Sequence, residues 1–240
     1  MTATTTWRPS RATLNPTARR CILNVATGRY APLQERLVRS LVDAGYADGL
    51  LTWTDFPPGS PTHEDTPYAF KLFAIREAER RGYTSVLWLD APCTAAGPVA
   101  PLFERIERDG HLFVTGGERL GRWASDACLE AFGLSRDAAL ELPLLNGTFL
   151  GLALPSPWLD ELQRRLDLLR GPWLSEHAPP DVRARKPERS IGFVSRDPRA
   201  WGHRHDEAVG SGIAHRLGMA ISPQQGLFNL EGAPIRSDKS

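Results

Sequence analysis

The stretch VLWLDAPC, residues 86–93, is an apolar run that ends abruptly on an acidic side chain, Asp90. An uninterrupted apolar run is typical of a strand that helices cover on both faces of a parallel sheet. Ligands bind outside the carboxyl ends of such strands, so we expect Asp90 to lie at a binding site. The alternative is that Asp90 caps a turn before Pro92.

Short apolar runs alternate with helical patterns on both sides of this strand. This alternation predicts an α/β fold, a single domain whose mostly parallel central sheet is flanked by helices. The run CILNVATG at 21–28 predicts the first strand, which ends on Thr27 and Gly28. Further strands are expected at 50–53, 84–89, 111–115 and 144–154, and helices at 33–44, 67–81, 99–108, 157–169 and 206–217, with a broken helix at 125–141.

The composition is ordinary for a globular chain, with 41% hydrophobic and 24% charged residues among 240. A net charge of +1 provides no field that would attract nucleic acid or an anionic membrane. Three scattered cysteines form no disulfide framework, which fits a cytoplasmic protein, and no apolar run approaches the ~18 residues of a transmembrane segment. We expect a disordered leader at residues 1–20, one folded domain at 21–222 and a loosely structured tail at 223–240.

Two groups of polar residues lie where they could act on a ligand. Lys71 falls on the inward stripe of the helix before Asp90; its ammonium could neutralise a leaving phosphate or could reach water from the helix end. The turn HRHD crowds His203, His205 and Asp206 together. Imidazole and carboxylate suit a transition metal, whereas Asp206 alone would be a good helix N-cap.

Two other positions allow both a chemical and a structural interpretation. Asp126 stands at the start of a helix, where it could cap the helix or serve as an acid or base for an acceptor. Asn146 and Gly147 interrupt an apolar run, either as a bend in a strand or as an amide and bare backbone that receive a sugar.

The run PYAFKLFAIREAERRGYTSVLWLDA at 67–91, together with the later HRHD, resembles the nucleotide-sugar-dependent glycosyltransferases of the GT-A fold. The resemblance implies that residues 21–222 are a GT-A-like catalytic domain. It also implies that Asp90 opens the DxD motif, which binds the ribose of the donor and, through a divalent metal, its diphosphate.

The resemblance implies further site residues. Thr27 and Gly28 would lie against the nucleotide, with Lys71, Asn146 and Gly147 also on the donor. Mn or Mg would be held by Asp90, His203 and His205, because Pro92 stands where the second acidic residue of DxD belongs and the carboxylate pair is missing. From the chemistry of the residues themselves, we expect Lys71, Asp126 and Asp206 to be the catalytic groups.

The expected activity is therefore transfer of a sugar from a nucleoside diphosphate sugar to a small or medium acceptor, such as a small molecule or a glycan. One alternative is a nucleotidyltransferase. Such enzymes usually have a basic, glycine-rich loop after the first strand, and ATGRY at 26–30 matches that loop only weakly. The other alternative is a non-catalytic nucleotide- or sugar-binding module, which DAP in place of DxD would suit.

Overall fold

The structure of the protein is a computed structural model that describes residues 19–224 and 234–237. The strands are β1 (Arg20–Val25), β2 (Gly49–Trp53), β3 (Ser85–Leu89), β4 (Cys93–Ala95), β5 (His111–Thr115), β6 (Phe149–Ala153), β7 (Leu174–Ser175), β8 (Ile191–Gly192), β9 (Ile221–Pro223) and β10 (Ile235–Ser237). The main sheet has the order β2-β1-β3-β6-β5-β9, while β4 pairs with β10 and β7 pairs with β8.

The main sheet is mostly parallel. β1 runs parallel to β2 and to β3, and β9 runs parallel to β5. β6 is inserted between β3 and β5 and is antiparallel to both. The predicted α/β fold with a central, mostly parallel sheet is confirmed.

Helices cover both faces of this sheet. They are α1 (Ala31–Asp43), α2 (Phe70–Arg80), α3 (Ala100–Asp109), α4 (Leu120–Trp123), α5 (Asp126–Ala131), α6 (Arg136–Glu141), α7 (Pro157–Arg164), α8 (Pro180–Ala184) and α9 (His205–Arg216), with 3₁₀ turns at Gly28–Tyr30 and Leu166–Leu169. Within the described residues, none of these helices is long and apolar enough to cross a membrane.

The alternation of side chains along the strands divides the core into two layers. In β1, Leu23 joins the layer beneath α2, α7 and α9, whereas Ile22 joins the layer beneath α1 and α3. The first layer is built around Trp88 and Trp158, and the second around Phe103. Each fully buried side chain of this size contributes about 1.5–3 kcal/mol relative to an exposed one, so the two layers fix the sheet from both sides.

Buried amides tie together the carboxyl ends of the first three strands. Asn24 Nδ2 donates to Leu89 O at 2.7 Å, and Gln34 Nε2 donates both to Asn24 Oδ1 at 2.7 Å and to Trp53 O at 3.0 Å. Because β6 runs in the opposite direction, its amino end lies at the same edge, where Asp90 N donates to Thr148 O at 3.0 Å. This edge therefore brings the residues that follow β1, β2 and β3 beside those that precede β6.

Helix α9 is enclosed by the protein along almost its whole length. Nine of its residues are buried, including Gly210 and Gly212. A Cβ at Gly210 would stand 2.8 Å from the ring of Trp158, and one at Gly212 would collide with the ring of Phe132. Glycine thus lets the helix approach these aromatic rings closely, and its first turn is held in a fixed place at the sheet edge.

Several boundaries differ from those expected from the sequence. Helix α2 begins at Phe70 and not at Pro67, because Tyr68 adopts a left-handed φ of 62° that no α-helix continues through. Strand β6 begins at Phe149, since residues 144–148 form a turn in which Asn146 Oδ1 accepts from Thr148 N at 3.0 Å. Helix α4 lies between the expected strand at 111–115 and the expected broken helix at 125–141, where no helix was predicted.

The ends of the chain can be compared with the expectations only in part. Residues 1–18 of the expected leader lie outside the described residues, while Arg20 already belongs to β1. Of the expected tail, 225–233 and 238–240 lie outside the described residues. Ile235 is fully buried in β10, which is antiparallel to β4, so this part of the tail is built into the fold.

Candidate functional site

Lys71 is the centre of a buried polar cluster at the carboxyl edge of the sheet. Helix α2 carries it inward, and its side chain is 8% exposed. Its Nζ donates to Asp206 Oδ2 at 2.6 Å and to Gly147 O at 2.7 Å, and it lies 3.6 Å from Asp90 Oδ1. An ammonium group has three N–H donors, and these three oxygens surround it. The aspartate that ends β3 and the late HRHD turn, separated by more than a hundred residues, thus meet through one lysine.

Asp90 is positioned by the strand that precedes it. Trp88 and Asp90 are two residues apart, so their side chains point to the same face of β3, and Trp88 Nε1 donates to Asp90 Oδ1 at 2.8 Å. The backbone of Asp90 bonds to Thr148 O. Its side chain is 17% exposed, which makes it the most accessible carboxylate bound to Lys71.

Asp206 and Glu207 project from the first turn of α9, where the helix dipole favours negative charge. Glu207 Oε1 accepts from Gly147 N at 3.1 Å, and Glu207 Oε2 lies 3.4 Å from Arg204 Nη1. The two carboxylates therefore hold both sides of the Gly147 peptide, Glu207 directly and Asp206 through Lys71. Glu207 is a site residue that the sequence interpretation did not single out, although it stands next to HRHD.

Gly147 must be glycine for this cluster to form. A Cβ at this position would stand 2.7 Å from Asp206 Oδ2, closer than such atoms approach, and 3.1 Å from Lys71 Nζ, a tight contact. The absence of a side chain lets the backbone carbonyl reach the ammonium. Asn146, the neighbouring predicted residue, folds its amide back onto the Thr148 N–H and so shapes the turn that presents Gly147.

Burial and ion pairing act in opposite directions on this cluster. Burial is the largest influence on Lys71 and favours the neutral amine, but the Asp206 and Asp90 carboxylates together outweigh it and raise the pKa of Lys71 above its usual value. Lys71 is therefore a permanent ammonium. Burial, reinforced by the neighbouring Asp206, raises the pKa of Glu207.

The histidines of the HRHD turn are bonded to backbone groups. His203 Nδ1 accepts from Ser125 N at 3.2 Å, and its Nε2 lies 2.7 Å from Leu168 O, so the ring is neutral with its proton on Nε2. His205 Nδ1 donates to Leu169 O at 2.7 Å. Burial lowers the pKa of both His203 and His205 to about 4.

These contacts bear on the predicted metal site of Asp90, His203 and His205, which stays a prediction. Both ring nitrogens of His203 are already used, and no group of three His, Cys, Asp or Glu side chains within 19–224 and 234–237 is placed to hold a metal ion. Between Asp90 and Asp206, where two carboxylates could share a divalent cation, lies the ammonium of Lys71. The residues present do not fit a divalent metal.

Thr27 and Gly28 lie one strand away from Asp90, at the end of β1. The chain there is tied to β2 by Ala26 N, which donates to Trp53 O at 2.9 Å. Gly28 is exposed with a left-handed φ of 52°, and a Cβ built on it would meet nothing within 4 Å. This loop therefore borders open space at the same edge as the Lys71 cluster.

Asp126 lies in a separate network. Its carboxylate accepts from Arg136 Nη2 at 2.7 Å, from Ser195 Oγ at 2.5 Å and from the backbone N of Arg196 at 2.9 Å. Burial alone would raise the pKa of Asp126, but these hydrogen bonds outweigh it and lower that pKa. The cap of α5 is Ser125, whose hydroxyl accepts from Cys128 N, so the carboxylate of Asp126 links separate segments.

Aromatic rings border the Lys71 cluster, and the sequence interpretation did not identify them. The ammonium of Lys71 lies 5.1 Å from the centre of the Tyr68 ring, and the rings of Tyr68 and Trp173 pack on that of His205 at 5.8 and 5.4 Å. Tyr68 and His205 both have a left-handed φ, a costly conformation that tends to occur at functional sites. No spacing along the chain marks Tyr68 or Trp173 as partners, because their contact depends on the tertiary fold.

The interior of the cluster is nearly filled. A cavity of about 10 Å³ beside Lys71 has room for one water at most. A substrate must therefore bind on the outer side of the cluster, where Asp90 and the Gly28 loop are accessible. A recess of about 180 Å³ is at the opposite edge of the sheet beside Tyr46, Asp48 and Phe103.

No protein-family model matches the sequence, and no curated protein matches it. Solved structures do resemble the fold. One is the bifunctional glycosyltransferase WbbM in its apo form, which is 8% identical, with 93% of this chain and 46% of that chain covered and a TM-score of 0.53.

The galactosyltransferase LgtC, solved with donor and acceptor sugar analogues, is 12% identical over 63% of this chain and 66% of that one, with a TM-score of 0.39. Mouse xyloside xylosyltransferase 1 is 12% identical over 92% and 97% of the two chains, with a TM-score of 0.47. The chain spans about half the length of WbbM and 66% of LgtC in its complex with sugar analogues. At these identities it is the fold that is shared, and the likeness to WbbM places this chain among proteins with that mixed α/β fold.

Proposed function

We propose that the protein is a glycosyltransferase that moves a sugar from a nucleoside diphosphate sugar to a hydroxyl of a small or medium acceptor. The observation that carries the proposal is the meeting of Asp90, Lys71 and Asp206 at the carboxyl edge of the sheet. Ligands of open α/β sheets bind at this edge. The shared fold with a glycosyltransferase supports the same assignment.

Each predicted residue receives a role that its position permits. Asp90, ionised and partly exposed, accepts hydrogen bonds from hydroxyls of the donor, because a carboxylate is an acceptor for vicinal diols. The loop of Thr27 and Gly28 takes the nucleoside, since the space beside it is open. Asn146 and Gly147 form the floor under the transferred sugar.

Lys71 acts as a positioning residue. Its donors are taken by Asp206 and Gly147, so it fixes the two aspartates and balances their charge instead of contacting the leaving phosphate. No step uses a divalent cation, because this ammonium already lies between the carboxylates of Asp90 and Asp206.

The acceptor chemistry falls to Asp206. A bond forms between the acceptor oxygen and the anomeric carbon, the bond from that carbon to the phosphate oxygen breaks, and the nucleoside diphosphate leaves with the electron pair. Asp206, held in place by Lys71, orients the attacking hydroxyl and takes up its proton. Asp126 is the weaker candidate for this base, because its carboxylate already binds Arg136, Ser195 and Arg196.

The test is a panel of uridine, guanosine and thymidine diphosphate sugars, each with a set of simple glycoside acceptors, in EDTA and in Mn²⁺. Release of nucleoside diphosphate and the mass of the glycoside product are measured. We expect turnover of at least one donor in EDTA. Asp90→Asn should lower kcat/KM by about 100-fold, the loss of a charge-assisted contact of ~2.7 kcal/mol. The matched control is Asp43→Asn, an exposed carboxylate at the end of α1, which should leave turnover unchanged.

Two outcomes would contradict the proposal in favour of the alternatives. Release of pyrophosphate from nucleoside triphosphates would indicate a nucleotidyltransferase. Tight binding of a nucleotide sugar without transfer or hydrolysis under any condition would indicate a binding module. Wild-type turnover in Asp90→Asn would remove the site assignment even if transfer is observed.

A further inference from the structure

The segment at 170–204, between helix α7 and helix α9, is strongly basic. It contains eight Lys and Arg residues against four Asp and Glu, in a chain whose net charge is only +1. Within it, β7 and β8 pair with each other, and the rings of Trp173 and His205 pack together at 5.4 Å. The segment therefore lies against the outer side of the Lys71 cluster and brings positive charge there.

Four buried N–H donors of this segment, Arg183 Nε among them, have no hydrogen-bond acceptor among the described residues, and three of the four are grouped around Trp173. These three are Trp173 Nε1, Arg189 Nε and Arg204 Nε. They lie in one place, because the guanidinium of Arg189 stands 4.6 Å from the centre of the Trp173 ring and that of Arg204 stands 6.0 Å from it. A buried donor without an acceptor costs about 1–3 kcal/mol, so three together point to an acceptor that binds there.

Arg189 is the member of this group with unused charge. Arg204 already faces Glu207 at 3.4 Å. Arg189 approaches Glu188 only at 3.7 Å, and its side chain remains 32% exposed. The charge of Arg189 also acts on His63, whose ring packs on Tyr68 at 4.7 Å. Burial lowers the pKa of His63 most, and the positive charge of Arg189 lowers it further.

We propose that Arg189, Trp173 and Arg204 form a phosphate subsite that binds the diphosphate of the substrate without a metal ion. Guanidinium groups match phosphate oxygens in pairs of hydrogen bonds, and the indole N–H supplies a third donor. Lys71 does not serve here, because its ammonium is surrounded by the oxygens of Asp206, Gly147 and Asp90. That the diphosphate belongs to a nucleotide sugar rests on the proposed function, whereas the subsite itself does not.

The test uses inorganic pyrophosphate, which needs neither a particular base nor glycosyl transfer. Binding is measured by isothermal titration calorimetry in EDTA at low and moderate salt. Arg189→Gln should weaken binding by about 10- to 100-fold, as expected for one charge-assisted contact. The matched control is Arg185→Gln on the same segment, which is 77% exposed and faces Asp181; it should change the affinity less than about threefold. Trp173→Phe retains an aromatic ring but removes the indole N–H, and it should weaken binding by about 3- to 10-fold.

The outcomes separate this inference from the proposed function. Pyrophosphate binding through Arg189 supports the subsite even if no donor sugar is turned over. The inference is overturned if wild-type protein binds pyrophosphate only with Mg²⁺ or Mn²⁺, or does not bind it. It is also overturned if Arg189→Gln and Arg185→Gln lose affinity equally, since that would mean non-specific attraction. Turnover of a nucleotide sugar with unchanged diphosphate affinity in Arg189→Gln would keep the function and reject the subsite.

Discussion

Replacing Lys71 by Met tests whether the ammonium holds the site together. Met is close to Lys in length but has no charge, so the change leaves Asp206 and Asp90 as buried carboxylates facing an apolar side chain. With an effective dielectric constant of about 20, the gross attraction is about 6 kcal/mol for the pair at 2.6 Å and about 5 kcal/mol for the pair at 3.6 Å. Desolvation of the charges offsets much of this.

The net effect expected for Lys71→Met is a loss of about 3–5 kcal/mol in the free energy of unfolding, the range found when one partner of a buried pair is removed. For a domain of this size, that corresponds to a fall in Tm of roughly 6–20 °C. Urea denaturation followed by circular dichroism, with a thermal scan, measures both quantities. Lys186→Met, an exposed lysine, is the control and should stay within about 0.5 kcal/mol of wild type.

A double variant isolates the ion pair from the loss of packing. In Lys71→Met with Asp206→Asn, the remaining amide needs no counter-charge, so we expect the two changes to cost about 1–2 kcal/mol less than their sum. A loss below about 1 kcal/mol in the single variant, or strict additivity in the double variant, would refute the reasoning. Either result would mean that Asp206 finds other partners or solvent when Lys71 is absent.

Two further predictions concern the backbone under the cluster and the histidines beside it. Gly147→Ala should cost about 1–3 kcal/mol by overpacking against the Lys71 cluster and should lower any turnover. Gly97→Ala, where a Cβ meets only an ordinary contact at 3.9 Å, is its control in the same denaturation assay, and equal losses would contradict the prediction. The pKa values of His203 and His205, lowered to about 4 in the fold, mean that the unfolded chain binds protons first as pH falls below about 6.5. Stability should therefore be full above pH 6.5 and fall by up to about 1.4 kcal/mol per pH unit per histidine between pH 6.5 and 4. Urea titrations at pH 7, 6 and 5 measure the slope, His203→Gln should reduce it by about half, and a flat profile would contradict the assignment.

The main strands and the edge that carries the site could be predicted from sequence. The apolar run before Asp90 is too hydrophobic for a strand with one solvent-exposed face. We therefore expected Asp90, which follows this run, to lie at the edge of the sheet. Lys71 could be placed because helical spacing aims it at the same edge. Its partnership with Asp206 and Asp90 was not predicted, since it depends on where α9 packs.

Other features were beyond any local pattern. The antiparallel direction of β6 is set by its pairing with β3 and β5. An apolar run predicts a strand but does not indicate whether that strand is parallel or antiparallel to its neighbours. The two ring nitrogens of His203 bond to backbone groups of Ser125 and Leu168, which are 78 and 35 residues away along the chain. No local pattern could predict these contacts. HRHD is predicted as a metal turn because its residue types suit one, and the burial and backbone contacts of its histidines depend on the tertiary fold.

The enclosure of α9 has a consequence for how this protein can change over time. Because Gly210 and Gly212 bring the helix against Trp158 and Phe132, a larger side chain at either position would displace the helix and Asp206 with it. The basic segment at 170–204, by contrast, exposes Ile191 and Phe193, and its regular structure consists of the short helix α8 and the short pair β7 and β8. New substrate preferences can therefore arise in that segment by substitution or insertion, while the helix behind it remains under strict selection.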